Sequence, residues 1–308
     1  LVTGAAGFVG SAVTKKLSEQ GDRVIAVDGL LGGLYPPDEK IQRFEAISAL
    51  HGVEAHRLDL RDADLSVLPE DIDYVINEAA MPGLGLSWSD FELYSSCNLS
   101  SVARLMDQAK RWPLKKFVQI STSSVYGKNA VGDENMPTLP VSPYGATKLA
   151  AENLAFAYMR DSDVPVTVLR YFSVYGPGQR PDMAYRKFIG KALAGEAIDL
   201  YGTGNQSRSN TFIDDCVSGT ISALNSARVG EVYNIAGSME RSLNDALAII
   251  SDLVGRTLDV RHHDTARGDQ DRTFGDTAKA SQELGFVNST SLEDGLSAQI
   301  QWQRDGGL

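Results

Sequence analysis

Tyr144 and Lys148 stand four residues apart in the run Ser142-Pro143-Tyr144-Gly145-Ala146-Thr147-Lys148. On a helix that spacing puts both side chains on one face. An ammonium beside a phenol favours the phenolate, so the pair predicts a tyrosine with a lowered pKa that acts as a base. Either residue alone predicts little, because a helical tyrosine is usually a packing residue and a lysine a solvated charge. Ser142-Pro143 just before them is a helix-start signal. A second constellation, Thr3-Gly4-Ala5-Ala6-Gly7-Phe8-Val9-Gly10, follows an apolar strand end and precedes an amphipathic stretch containing Val13 and Leu17. Its small residues let the backbone approach a pyrophosphate, and the helix start supplies free N–H groups and the positive end of the dipole. Gly4, Gly7, Phe8, Val9 and Gly10 are therefore candidate dinucleotide contacts. Asp28 closes the next apolar run, where a carboxylate accepts from an adenosine ribose and disfavours an added phosphate, so NAD is expected over NADP. A base beside oxidised nicotinamide removes a hydroxyl proton while hydride leaves the same carbon.

These groups need a scaffold that alternates strands and helices. Arg23 to Asp28, Glu54 to Asp59, Tyr74 to Asn77, Lys116 to Ser121 and Val166 to Tyr171 read as strands, with longer amphipathic stretches between them. The alternation predicts an α/β fold: a doubly wound parallel Rossmann sheet with ligands at the carboxyl ends of its strands. After Tyr171 it gives way to Gly176-Pro177-Gly178, a helix around Met183 to Ala194 and short mixed segments. Residues 1–171 are expected to be mainly the NAD-binding domain. Residues 172–308 are expected to be mainly a smaller, interleaved substrate lobe, with Val232 to Ile235 returning to the sheet.

The 308 residues are 43% hydrophobic and 22% charged, ordinary for a globular protein with a substantial core. The net charge of -11 argues against nucleic acid and anionic membranes as partners. Cys97 and Cys216 lack metal-ligand spacing and read as small apolar side chains rather than a disulfide, so no metal and a cytoplasmic location are expected. The sequence starts at Leu1-Val2-Thr3, part-way through a strand and with no initiator methionine, so a few preceding residues are expected. The sequons at Asn98, Asn205 and Asn288 read as polar or capping residues rather than glycosylation sites.

The glycine turn, Tyr144, Lys148 and Thr122 together resemble the extended short-chain dehydrogenase/reductase family, in its NAD-dependent epimerase/dehydratase group. The resemblance implies that Thr122, four residues before Tyr126-Gly127, assists proton transfer, and that Lys148 also binds nicotinamide ribose. It implies an adenine contact at Asp59 and Leu60 and a small-residue floor under the cofactor at Ala79 and Ala80. Asn77 and Glu78 stand where many relatives carry histidine and an apolar residue, so no catalytic role carries over to either.

Ser123 and Ser124 replace the Asp-Glu pair that sugar dehydratases place after the threonine, which disfavours elimination. Tyr175-Gly176-Pro177-Gly178-Gln179-Arg180-Pro181-Asp182-Met183-Ala184 resembles a segment of UDP-glucuronate 4-epimerases, supported by Ala80-Met81-Pro82-Gly83 and Ser87-Trp88. That likeness implies reversible C4 epimerisation of UDP-glucuronic acid, with the planar Arg180 fork on the uronate. Thr122, Ser123, Ser124, Tyr144 and Ser173 are then expected to line the sugar site. Arg208 is expected on the phosphates, and Arg267 and Asp269 on the uridine. Gly85 and Ser173 depart from the arginine and asparagine common in relatives. Asp214 and Asp215 are expected to cap the following helix. The alternatives are a UDP-glucose/UDP-galactose-type epimerase, a UDP-glucuronate decarboxylase and a non-catalytic NAD-binding redox sensor. Homodimerisation is expected through Leu99 to Ala109 and Leu149 to Tyr158.

Overall fold

The computed structural model describes residues 1–265 and 268–307. The first half runs β1 (Val2–Thr3), α1 (Phe8–Glu19), β2 (Val24–Asp28), α2 (Asp38–Ser48), β3 (Val53–Arg57), β4 (Tyr74–Asn77), α3 (Phe91–Ser95), α4 (Ser101–Ala109), β5 (Lys116–Thr122), β6 (Asn129–Gly132), α5 (Pro143–Ser162) and β7 (Val166–Tyr171). The second half runs β8 (Val174–Tyr175), α6 (Ala184–Ala194), β9 (Ile198–Tyr201), β10 (Ser207–Ser209), β11 (Thr211–Phe212), α7 (Ile213–Ser226), β12 (Val232–Ile235), β13 (Glu240–Ser242), α8 (Leu243–Val254), β14 (Val260–His263), β15 (Arg272–Gly275), α9 (Ala278–Leu284) and α10 (Leu292–Arg304).

Seven strands form one parallel sheet in the order β12-β7-β5-β4-β1-β2-β3. The strand β2 is buried at every position, as a sheet covered on both faces requires. Alternate residues feed two cores: Val24 and Ala26 join Val118 and Leu169 under α1, α6 and α7, while Ile25 and Val27 join Phe117 and Val168 under α4 and α5. Val232 pairs with Val168 and Ile235 with Tyr171, so β12 extends the sheet from far along the chain. A smaller sheet, β13-β10-β15-β6, stitches β6 to the late strand β15.

Several expected boundaries move: β2 starts at Val24 rather than Arg23, β3 at Val53 rather than Glu54, and β5 runs on to Thr122. The third strand stops at Arg57 rather than Asp59, because Asp59 starts a turn whose carbonyl accepts from the backbone N–H of Asp62 and Ala63. Helix α4 starts at Ser101 rather than Leu99, after a π-turn over Ser96–Ser100. Met183 is the residue before α6 rather than its first. Asp214 and Asp215 lie in the first turn of α7, but Asp215 does not cap it: its carboxylate accepts from the backbone N–H groups of Ser289 and Thr290. Both cysteines are buried and free.

Candidate active site

The carboxyl ends of β1, β2, β4, β5 and β7 open into a cleft of about 420 Å³. Gly4, at φ 65°, turns the chain out of β1; a Cβ there would lie 2.8 Å from the backbone nitrogen of Ala79. A Cβ on Gly10 would lie 2.9 Å from the carbonyl carbon of Gly4, so only glycine lets α1 start this close to the sheet. Gly7 is the N-cap of α1 and offers no side-chain cap, leaving the first helical N–H groups facing the cleft. Phe8 and Val9 line it as well.

Asp28 ends β2 with one carboxylate oxygen accepting from Ala6 N at 3.0 Å and the other from Leu30 N at 2.7 Å. Burial pushes this carboxyl up from its ordinary value, while the Leu30 N–H, Lys40 and the Ala6 N–H pull it back. Asp59, Leu60, Ala79 and Ala80 complete this half. Asp59 is held by Arg61 at 2.7 Å, and that hydrogen bonding keeps its carboxyl below the ordinary range. Ala79 N donates to Thr3 Oγ1 at 3.3 Å, tying the floor to β1. A cradle that a Cβ would fill, an uncapped helix start and a fixed carboxylate at the end of β2 fit a dinucleotide with an unphosphorylated adenosine ribose.

Helix α5 places the proton-transfer pair. Ser142 Oγ accepts from Gly145 N at 3.1 Å and Pro143 occupies the first turn, as its sequence predicts. Thr122 ends β5, and its Oγ1 accepts from Ser124 N at 3.2 Å and donates to Ser124 Oγ at 3.3 Å, beside Tyr144 in the cleft. Burial raises the Tyr144 phenol above its ordinary value; Thr122 and the nearby Arg180 favour the phenolate, and Glu78 opposes it. The expectation that Lys148 lowers this phenol is corrected: Lys148 is not among the groups that act on it, and its Nζ donates to Ile120 O at 2.7 Å. Burial brings the Lys148 ammonium down to about 8, with Glu78 and Glu152 holding it up. In the ligand-free protein burial thus favours the neutral phenol at Tyr144.

The sugar side brings Ser123, Ser124, Ser173, Arg180, Arg208 and Asp269 into the same cleft. Arg180 is not a free fork: its Nε and Nη2 donate to the two oxygens of Asp182 at 3.0 and 2.9 Å. Arg208 pairs with Asp269 at 2.9 Å and donates to Gln270 O at 2.6 Å, so those two candidates meet each other. Ser173 holds a positive φ of 26°, an uncommon backbone state for a residue with a Cβ. Arg267 lies outside the described residues. Among the described residues no group of three or more His, Cys, Asp and Glu is arranged to hold a metal ion.

Several residues that shape the site gave no local signal. Gln270 donates to the carbonyls of Ser123 and Gly127 at 3.2 and 2.7 Å from 147 and 143 residues away. Asn98 accepts from Met81 N at 2.6 Å and donates to Thr147 at 3.1 Å, fixing the cleft wall to α5. Glu78, Lys40 and Tyr35 also line the cleft.

The sequence profile of the NAD-dependent epimerase/dehydratase family matches residues 1–236. An uncharacterised UDP-glucose epimerase of Bacillus subtilis is 36% identical over 306 residues, covering 98% of this chain and 96% of that protein. A UDP-glucuronate 4-epimerase of Thermodesulfobacterium geofontis is 32% identical over 311 residues, covering 99% and 96%. The crystal structure of a Bacillus cereus UDP-glucuronic acid 4-epimerase in complex with UDP-glucuronic acid and NAD superposes with a TM-score of 0.95 at 36% identity, covering 99% of this chain and 98% of that one.

Proposed function

This chain belongs to the NAD-dependent epimerase/dehydratase family, and from that membership we propose that it interconverts UDP-glucuronic acid and UDP-galacturonic acid by inverting C4 through a transient 4-keto sugar. The observation that carries the reading is the meeting, in one cleft, of a dinucleotide cradle, the Thr122–Tyr144 hydroxyl pair and the Arg180 guanidinium that bears on the Tyr144 phenol. Gly4, Gly7, Phe8, Val9 and Gly10 would hold the pyrophosphate, Asp28 the adenosine ribose, Asp59 and Leu60 the adenine, and Ala79 and Ala80 the floor. NAD, when bound, takes up and gives back one hydride, so no external redox partner is consumed.

The chain itself handles the proton. Tyr144 Oη takes it from the C4 hydroxyl, Thr122 Oγ1 keeps the phenolate solvated from one side, and Lys148 favours the phenolate once it turns from Ile120 O to the cofactor's ribose. Ser123, Ser124 and Ser173 supply hydroxyls for the sugar, and Arg208, Arg267 and Asp269 take the uridine diphosphate. Arg180 receives the uronate, sharing its guanidinium with Asp182, whose two bonds use two of its five N–H groups. Holding the carboxylate also keeps its bond out of line with the neighbouring ketone, which suppresses loss of carbon dioxide.

A second reading, a neutral-sugar 4-epimerase, is favoured by two observations: Arg180 is already paired with Asp182, and a Cβ at Gly85, where the resemblance implies that arginine is common, would meet only open space. Incubating the purified protein with UDP-glucuronate and with UDP-glucose separates the two. UDP-galacturonate as the favoured product supports the uronate; exclusive conversion of UDP-glucose to UDP-galactose overturns it.

The domain division at residues 171 and 172 and a cytoplasmic homodimer belong to the same reading. No helix among the described residues is long and apolar enough to cross a membrane. Helices α4 and α5 pack side by side, with Phe91 on the adjoining α3 55% exposed, which supports pairing through that face. A monomer in light scattering at assay concentration refutes the dimer.

A further inference from the structure

Glu78 follows β4 directly and projects to the same side of the sheet as Ile76, toward α7 and the cleft. The proton transfer derived above leaves this carboxyl without a task. Tyr171 Oη donates to Glu78 Oε1 at 2.8 Å, Tyr171 Oη and Thr220 Oγ1 lie 2.6 Å apart, and Thr220 Oγ1 donates to the carbonyl of Cys216 at 2.7 Å.

Three contacts in series need three hydrogens. Tyr171 and Thr220 bring one each, so all three contacts carry a hydrogen only when Glu78 is protonated and the first bond reverses, with Glu78 donating to Tyr171, Tyr171 to Thr220 and Thr220 to Cys216 O. With Glu78 ionised and accepting from Tyr171, the contact between Tyr171 and Thr220 lacks a hydrogen. The titratable groups that feel Glu78 are Tyr144 and Lys148 on α5, Tyr171 on β7 and Cys216 on α7; of these Lys148 is the cation.

We propose that Glu78, which ends the hydroxyl row in the cleft that Lys148 also lines, is a positioning residue for the proton-transfer site: its own charge sets whether Lys148 keeps its charge. Burial pushes the Glu78 carboxyl up to about 7, while Tyr171 and Lys148 pull it down; Lys148 lies near 8, so the two groups change charge in adjoining pH ranges. Ionised Glu78 adds to Glu152 in holding Lys148 protonated to higher pH, and protonating Glu78 removes its share. The consequence for turnover rests on the epimerase reading; the linkage between the two side chains does not.

The test is a pH titration of the lysine side chains by 13C NMR in the ligand-free protein, with Lys148 identified by the signal missing in Lys148→Met. In Glu78→Gln, which keeps the shape and can still donate to Tyr171, the Lys148 midpoint should fall by roughly half a pH unit or more. Glu78→Leu should move it in the same direction. Stability gives a second readout. A carboxyl raised from 4.5 to about 7 on folding contributes stability that is complete below pH 4.5 and lost as pH rises through 7. The urea midpoint of the wild-type protein should therefore fall across that range, and that of Glu78→Gln should fall less. In turnover, the alkaline limb of kcat/KM should move to lower pH in Glu78→Gln. A Lys148 midpoint unchanged in both variants overturns the proposal. A shifted midpoint in a protein that epimerises no sugar upholds it and sinks the proposed reaction instead.

Discussion

Replacing Lys148 with methionine should make the ligand-free protein more stable at pH 7 while abolishing turnover. Lys148 is 4% exposed, and burial brings its ammonium from 10.5 to about 8. A lysine depressed on folding favours the neutral amine, so its destabilising charge is present at pH values below 8 and disappears as pH rises through 8 toward 10.5. A difference of that size corresponds to about 3 kcal/mol at pH 7. Methionine fills a similar volume without the charge, and loses one hydrogen bond to Ile120 O, worth about 1 kcal/mol net. That carbonyl is not orphaned, because Gln119 Nε2 also donates to it at 3.0 Å. The net expectation is a gain of about 2 kcal/mol at pH 7, shrinking toward zero by pH 10. Urea denaturation at pH 7, 8.5 and 10 measures it. A variant less stable than the wild type at pH 7 would refute the idea that Lys148 is a desolvated charge kept for chemistry rather than for the fold.

Tyr144→Phe should lose nearly all turnover yet retain NAD, checked by fluorescence of the bound cofactor after reduction; near-normal turnover removes Tyr144 from the mechanism. Thr122→Val should slow the reaction less, since Tyr144 keeps its own hydroxyl. Arg180→Leu should lower the preference for UDP-glucuronate over UDP-glucose and raise the fraction of UDP-4-keto-pentose among the products, with the lost charge-assisted contact worth roughly 1.5 to 3 kcal/mol; an unchanged preference means Arg180 does not select the uronate. Glu152→Gln should destabilise by about 3 to 5 kcal/mol in urea melts, because Arg170, paired with Glu152 at 2.7 Å and nearly fully buried, would lose its counter-charge.

What could be read from residue types was what is local in the chain. The glycine turn, the carboxylate at the end of β2 and the tyrosine-lysine spacing all lie within single strand-turn-helix units, and each side chain faces where its own element points it. The parallel sheet followed from the same alternation, and Val232 to Ile235 was expected to return to it as a strand. What could not be read depends on distant partners. Asp182 is two residues from Arg180, yet only the fold decides that they pair rather than leave the guanidinium free. Lys148 turns to Ile120 O because α5 packs against β5, a contact no helical spacing contains. The row from Glu78 through Tyr171 to Thr220 spans 93 and then 49 residues of sequence. Glu78 looked like a mere departure from relatives until that row placed it in the cleft.

The central claim is that one cleft removes hydrogen from C4 and returns it to the opposite face. UDP-glucuronate carrying deuterium at C4 tests it most directly, with the product examined by NMR after incubation in ordinary water without added oxidant or reductant. The account predicts UDP-galacturonate that keeps its deuterium at C4 over many turnovers. Deuterium washed out to solvent, or recovered substrate with no inversion at C4, would contradict it.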